Sequence, residues 1–214
     1  DKPDPQNSTV VNQNNQETTT NSGNSNQTTP VMPNQNNNTG NQSTIPQNNW
    51  DSDEAQQNLI DGYISRLRDK IGMPYVLGGG NIPSYNGRST RDENGNYRGF
   101  DCCGGVMQSL REATSLYIPP MNQHEILLQP WVEKTDTLSD GVLIFFDYDR
   151  NNQMDHIMTY YTGGGTNNVI TTIGNEPRGR TTDQQRIENW RSWYPNANII
   201  YGKINWETLR RTYQ

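Results

Sequence analysis

The chain is 214 residues long, room for one or two domains, and carries a formal net charge of −6 with a mean hydropathy of −1.02. An acidic balance with no basic run among aromatics argues against a nucleic-acid partner. The longest apolar run, Val142–Phe146, is far too short to cross a membrane, and two cysteines adjacent at 102 and 103 cannot build a disulfide framework.

Residues 1–50 contain 33 Asn, Gln, Ser or Thr and only six apolar side chains, Val10, Val11, Val31, Met32, Ile45 and Trp50. Such a segment buries too little surface to offset its ordering entropy, so it reads as a disordered tether ahead of one domain over 51–214. A start at Asp1 rather than methionine fits either a processed mature form or a trimmed chain, and a removed leader followed by a polar tether suits an exported protein. The expected location is the periplasm, the cell surface or the medium, with the tether available as an anchor.

From Asp51 the texture changes. Ala55, Leu59, Ile60, Tyr63, Ile64, Leu67 and Ile71 follow helical spacing, Asp51 or Ser52 can cap the start, and Gly72 with Pro74 stop the helix. Its polar face, Arg66, Arg68, Asp69 and Lys70, reads as solvated surface. A glycine-rich segment, Gly72 to Gly80, then leads into a long polar loop, Asn81 to Arg98, and loops of that length tend to be functional or mobile.

Both cysteines lie in Gly99 to Leu110, where Val106, Leu110 and Ala113 begin a helical pattern. A thiol at a helix start meets unsatisfied N–H groups and the positive end of the helix dipole, which favour the nucleophilic thiolate. A working thiol also needs a base, and the only histidines are His124 and His156, so four cysteine–histidine pairings are open. The plain alternative is that the cysteines are small inert core residues. A ring closed between Cys102 and Cys103 would be strained.

After Pro119 and Pro120, Met121 to Trp131 reads as a short helix or irregular segment carrying His124. The period then changes to that of strands, over Gly141–Asp147, Asp155–Tyr161 and Asn168–Ile173, with Asn198–Ile204 as a further candidate. Short connections favour an antiparallel sheet, with the helices gathered earlier, hence an α+β domain. The link Asp147 to Asp155 spaces oxygen-bearing side chains as a calcium loop does, but it lacks the central glycine and closing glutamate and reads as a polar hairpin turn. Trp190, Trp193, Tyr194, Tyr201 and Trp206 read as packing that pins the chain end rather than as a groove for sugar or peptide.

The order of these features resembles the NlpC type of cell-wall cysteine peptidase, the NlpC and p-sixty family within the papain-like group. There a Gly-x-x-Tyr-x-x-Gly-Gly segment precedes Phe-Asp-Cys-Ser-Gly at a helix start, and a Gly-Asp-x-x-x-Phe strand leads into a strand opening with His-Val-Gly-Ile-Tyr. The counterparts here are Gly72 to Gly79 with Tyr75, Phe100-Asp101-Cys102-Cys103-Gly104, Gly141 to Phe146, and His156 to Tyr160.

The resemblance implies a papain-like core of N-terminal helices on an antiparallel sheet. It makes Cys102 the nucleophile, His156 the base and Tyr75 a donor to the developing oxyanion, with Cys103 where the family usually has serine. The family's third polar residue, usually histidine, falls on Thr171. Thr172-Ile-Gly-Asn175-Glu176 is similar to a segment of the related CHAP amidases, which makes Asn175 the preferred orienter of His156 and Thr171 the alternative. The implied activity is an endopeptidase cutting an amide bond in the peptide part of peptidoglycan, with Arg88, Arg91 and Arg98 as candidate contacts for acidic stem peptides. The rivals are a CHAP-type N-acetylmuramoyl-L-alanine amidase and an inactive wall- or surface-binding module on the same fold. The expected protein is a monomer with no metal or cofactor.

Overall fold

The computed structural model describes residues 50–163, 168–172 and 182–214, and within 168–172 and 182–186 it describes the backbone and, of the side chains, only Val169. Asn175 and all of the segment read as a tether except Trp50 lie outside these residues; Trp50 itself is buried in the core.

Helix α1 (Asp53–Arg68) begins where the Ser52 side chain accepts the Ala55 N–H at 3.2 Å, and its acidic first turn and basic last turn suit the helix dipole. Its apolar stripe, Ala55, Leu59, Tyr63, Ile64 and Leu67, is buried. The Tyr63 and Thr159 hydroxyls share a hydrogen bond of 2.7 Å that ties the helix to the sheet. The polar face is not all solvated: Lys70 is buried and pairs with Glu112 at 2.6 Å. A buried cation needs such a partner, which the helical spacing alone did not reveal.

The polar loop folds back on itself as a two-stranded hairpin, β1 (Ser84–Tyr85) and β2 (Arg88–Ser89). Its turn residues Asn86 and Gly87 both have positive φ, 47° and 74°, the geometry for which Asn-Gly is suited. Helix α2 (Cys102–Thr114) follows, ending at Ser115 in the left-handed conformation, and then the short α3 (Gln123–Leu127), opened by a capping box between Asn122 and Glu125.

A six-stranded antiparallel sheet completes the described fold. It is made of β3 (Val132–Lys134), β4 (Leu143–Asp147), β5 (His156–Tyr161), β6 (Asn168–Thr172), β7 (Thr182–Arg186) and β8 (Asn198–Ile204), in the order β3-β8-β4-β5-β6-β7. Helix α4 (Ile187–Trp193) lies between β7 and β8, and α5 (Trp206–Tyr213) closes the chain. Every residue of β4 and β5 is buried, because both faces are covered. Leu143, Phe145, Ile157 and Tyr161 join the core built with α1, α2 and α5. Ile144, Phe146, Met158 and Tyr160 join a second core with Trp190 and Tyr194. Alternation along β5 therefore puts His156 on the side of the second core. Helix α4 falls between two strands of the sheet and α5 follows its last strand, so the helices are not all gathered ahead of the sheet as expected.

Candidate active site

The glycine-rich segment and the cysteine segment are built against each other. Tyr75 and Phe100 form a parallel bridge, in which the Phe100 N–H donates to Pro74 O at 3.0 Å and the Val76 N–H to Phe100 O at 3.2 Å. The backbones approach so closely that a Cβ on Gly104 would lie 1.8 Å from Gly79 O, and one on Gly99 would lie 2.1 Å from Pro74 O. The glycines are thus a steric requirement for placing Tyr75 beside the start of α2.

Asp101 caps that helix. Its carboxyl accepts the N–H of Gly104 and the N–H of Gly78, each at 2.6 Å, so one side chain joins the helix start to the glycine-rich strap. Burial, and next the negative charge of Cys102, raise its pKa from 3.8 to about 7, against the pull of these hydrogen bonds.

Cys102 opens α2 and is half-buried, while Cys103 is buried. The Cys102 thiol is held well below the ordinary range by a hydrogen bond with Cys103, against the opposing effect of burial. The hydrogen bond and charge of His156 and the N–H of Ile157 add to the lowering. Cys103 is pushed well above the ordinary range by its contact with Cys102, by burial and by Asp101, whose Oδ1 lies 3.4 Å from its Sγ. Two adjacent thiols thus diverge: one is poised as a thiolate and the other held as a proton donor.

His156, at the first position of β5, is the imidazole that meets Cys102; His124 sits on α3. Tyr75 is half-buried near the same sulfur, and its phenol is raised far above the ordinary range by burial and then by the charge of Cys102, so it remains an O–H donor. Tyr148, just after β4, is likewise raised, by burial, by Tyr194 and by the charge of Cys102, and stacks on Tyr194 at 4.1 Å. The sequence reading did not single out Tyr148 or the capping role of Asp101. The second was visible as an Asp before a helical run, and the first carried no local signal.

A pocket of about 190 Å³ opens beside Cys103 and Asp101, walled by Leu77, Ile82, Tyr85 and Met121 and rimmed by Glu125. None of Arg88, Arg91 and Arg98 lines it. Arg91 lies over the Tyr97 ring at 3.8 Å, and Arg98 donates to Arg91 O at 2.9 Å, so both are engaged within their own loop. Arg88 is exposed on β2, opposite Tyr85. Thr171 lies on β6 with its backbone paired to Asp183. In the 147–155 link, Asp147 accepts the N–H groups of Asn151 and Asn152 and Asp155 accepts that of Tyr148, the bonding of a polar turn.

The sequence profile of the NlpC/P60 family matches residues 72–197, from the glycine-rich strap to the turn before β8. No curated protein sequence matches the chain. Among solved structures, it is similar to an NlpC/P60 family protein from Bacillus cereus, at 20% identity over 66% of this chain and 39% of that one, with a TM-score of 0.47. A mutated form of the resuscitation promoting factor interacting protein RipA aligns at 20% identity over 61% of this chain and 56% of that one, TM-score 0.43. The peptidoglycan hydrolase RipB from Mycobacterium tuberculosis aligns at 21% identity over 64% and 68%, TM-score 0.41. The chain thus spans little more than half of the RipA chain and about two fifths of the Bacillus cereus one. Its fold is α+β, with the cysteine helix packed on an antiparallel sheet. With the profile running over more than half of its length, the chain belongs to the NlpC/P60 family.

Proposed function

We propose that the protein is a cysteine hydrolase that cleaves an amide bond in the peptide part of peptidoglycan, with Cys102 as nucleophile and His156 as base. The observation that carries this reading is the meeting of the Cys102 thiol, at the start of a helix, with the His156 imidazole, at the start of a buried strand. The thiolate attacks the carbonyl carbon and the C–S bond forms as the carbonyl π pair moves onto oxygen. The Tyr75 O–H and the N–H groups at the start of α2 stabilise that oxygen, a role that the late-titrating phenol near Cys102 supports. The His156 imidazolium passes its proton to the leaving amine, and water, deprotonated by the same imidazole, releases the acid from the thioester.

The pocket beside Cys103 takes a residue next to the scissile bond, and Arg88, the cross-strand partner of its Tyr85 wall, meets an acidic stem at the rim. Residues 1–49 serve as the tether that lets the domain reach the wall. Orientation of the imidazole by Asn175, or by Thr171, belongs to the same reading.

Digestion of purified peptidoglycan, with the new termini identified by mass spectrometry, tests it. Free α-amino groups within the stem peptide support an endopeptidase. Release of whole stems from muramic acid would replace it with an amidase, and no release by a protein that binds wall would leave a binding module.

A further inference from the structure

The imidazole that meets Cys102 has a second neighbour. Trp190 of α4 lies flat against His156, with ring centroids 4.6 Å apart and planes inclined by 9°. Trp190 is itself 1% exposed and held on several sides, by Phe146 at 5.8 Å, Trp193 at 5.7 Å and Tyr194 at 6.1 Å. Phe146 is also the cross-strand partner of His156, so one aromatic block supports both the strand position and the ring. A histidine ring otherwise turns in a broad torsional well, and a locked indole parallel to it narrows that well. The in-plane ring nitrogens stay available for the thiol and for a hydrogen-bonding orienter, because stacking uses the face and not the edge.

We propose that Trp190 is a positioning residue for His156, fixing the plane of the imidazole and favouring its protonated form by presenting the electron-rich face of the indole. This rests on the reading of Cys102 and His156 as the working pair. The titratable groups facing His156 among the described residues are the Cys102 thiol from α2 and the Asp155 carboxylate that precedes it, with the Tyr148 phenol beside both of these. Glu188 and Arg191 are the charged residues of α4 itself. Against these neighbours the indole face is an aromatic surface stacked on the ring, and it acts on a protonated ring through the cation–π interaction.

The chain has two histidines, so imidazole signals in a nuclear magnetic resonance titration separate into His124 and His156. The titration is run in the C102A background, where no thiolate couples to the ring. There W190L lowers the His156 midpoint by about half to one pH unit, and W190F lowers it less. With Cys102 present, W190L reduces kcat by about tenfold with KM little changed, because ring order rather than binding is lost. In the Trp190-intact C102A protein, whose folding does not depend on either variant, the indole signal of Trp190 shifts with the same midpoint as His156. Superimposable His156 titrations in Trp190, W190F and W190L proteins would overturn the proposal. Where W190L does not fold, a Trp190 signal that stays constant while His156 titrates would do so. Failure of the thiolate reading shows separately, as an ordinary titration of Cys102 alkylation, and leaves the imidazole measurements intact.

Discussion

The two faces of the six-stranded sheet are built from different material and do different work. The core toward α1, α2 and α5 is more aliphatic than aromatic, with Leu59, Val106, Leu110, Leu143 and Ile157 beside rings such as Tyr63, Phe145 and Trp206, and it seats the helix that carries Cys102. The other face is aromatic around His156, with Phe146, Tyr160, Trp190 and Tyr194. Thiol and imidazole come from opposite sides and meet at the end of β5, where the Ile157 N–H also points at the sulfur. Aliphatic packing places a helix and tolerates repacking by residues of similar volume, whereas stacked rings fix the plane of a single side chain. Cys102, the proposed nucleophile, is therefore positioned through backbone, by its helix and cap, and His156, the proposed base, through its ring.

The largest effect separates the two thiols. Cys102→Ala should remove wall hydrolysis by a factor of about 10⁴ or more, whereas Cys103→Ser should keep it within about tenfold, as measured by release of new amino termini. Equal loss in both would make the pair, rather than Cys102, the functional unit.

The backbone route to Cys102 is broken most directly at Gly104. Gly104→Ala puts a methyl group against Gly79 O and should cost about 3 kcal/mol in denaturant unfolding, while Gly87→Ala, where nothing lies within 4 Å, should cost about 1 kcal/mol through its positive φ alone. Similar losses at both would mean that the strap and helix do not approach as described.

Tyr75→Phe keeps the ring and deletes the donor. A loss of about 10² in kcat, with KM and unfolding midpoint little changed, is expected of an oxyanion contact.

Asp101 gives a smaller, pH-dependent signal. Its folded pKa of about 7 lies above the ordinary 3.8, so the folded state binds the extra proton. Its contribution is most favourable below pH 3.8, declines as pH rises and levels off above pH 7. Asp101→Asn should therefore flatten the fall in stability between about pH 4 and 7, read from unfolding curves at each pH. An unchanged slope would contradict a buried carboxyl that titrates late.

Much of the aliphatic half was legible in the chain. The spacing of Leu59, Tyr63 and Leu67 set α1, and the Phe100 to Gly104 motif set the start of α2. The strands at 143–147, 156–161, 168–172 and 198–204 fall within or close to the segments read as strands. The aromatic half was less legible. Trp190, Trp193 and Tyr194 were read as packing near the chain end, which they are, but their place against His156 depends on α4 following β7. Strand β7, Thr-Asp-Gln-Gln-Arg, is polar throughout and carries no strand period, and β3 is three residues long, so neither had a pattern to find. The insertion of β8 between β3 and β4 is a choice among registers that local sequence does not encode.

The pairing of Cys102 with His156 is tested most directly by the rate of iodoacetamide alkylation at Cys102 against pH, read by fragment-ion mass spectrometry that separates it from Cys103. The native protein should react at nearly full rate well below the ordinary thiol range of about 8.5, and His156→Gln should move the inflection up toward it. A native inflection near 8.5 that His156→Gln leaves in place would contradict the thiolate and imidazolium pair.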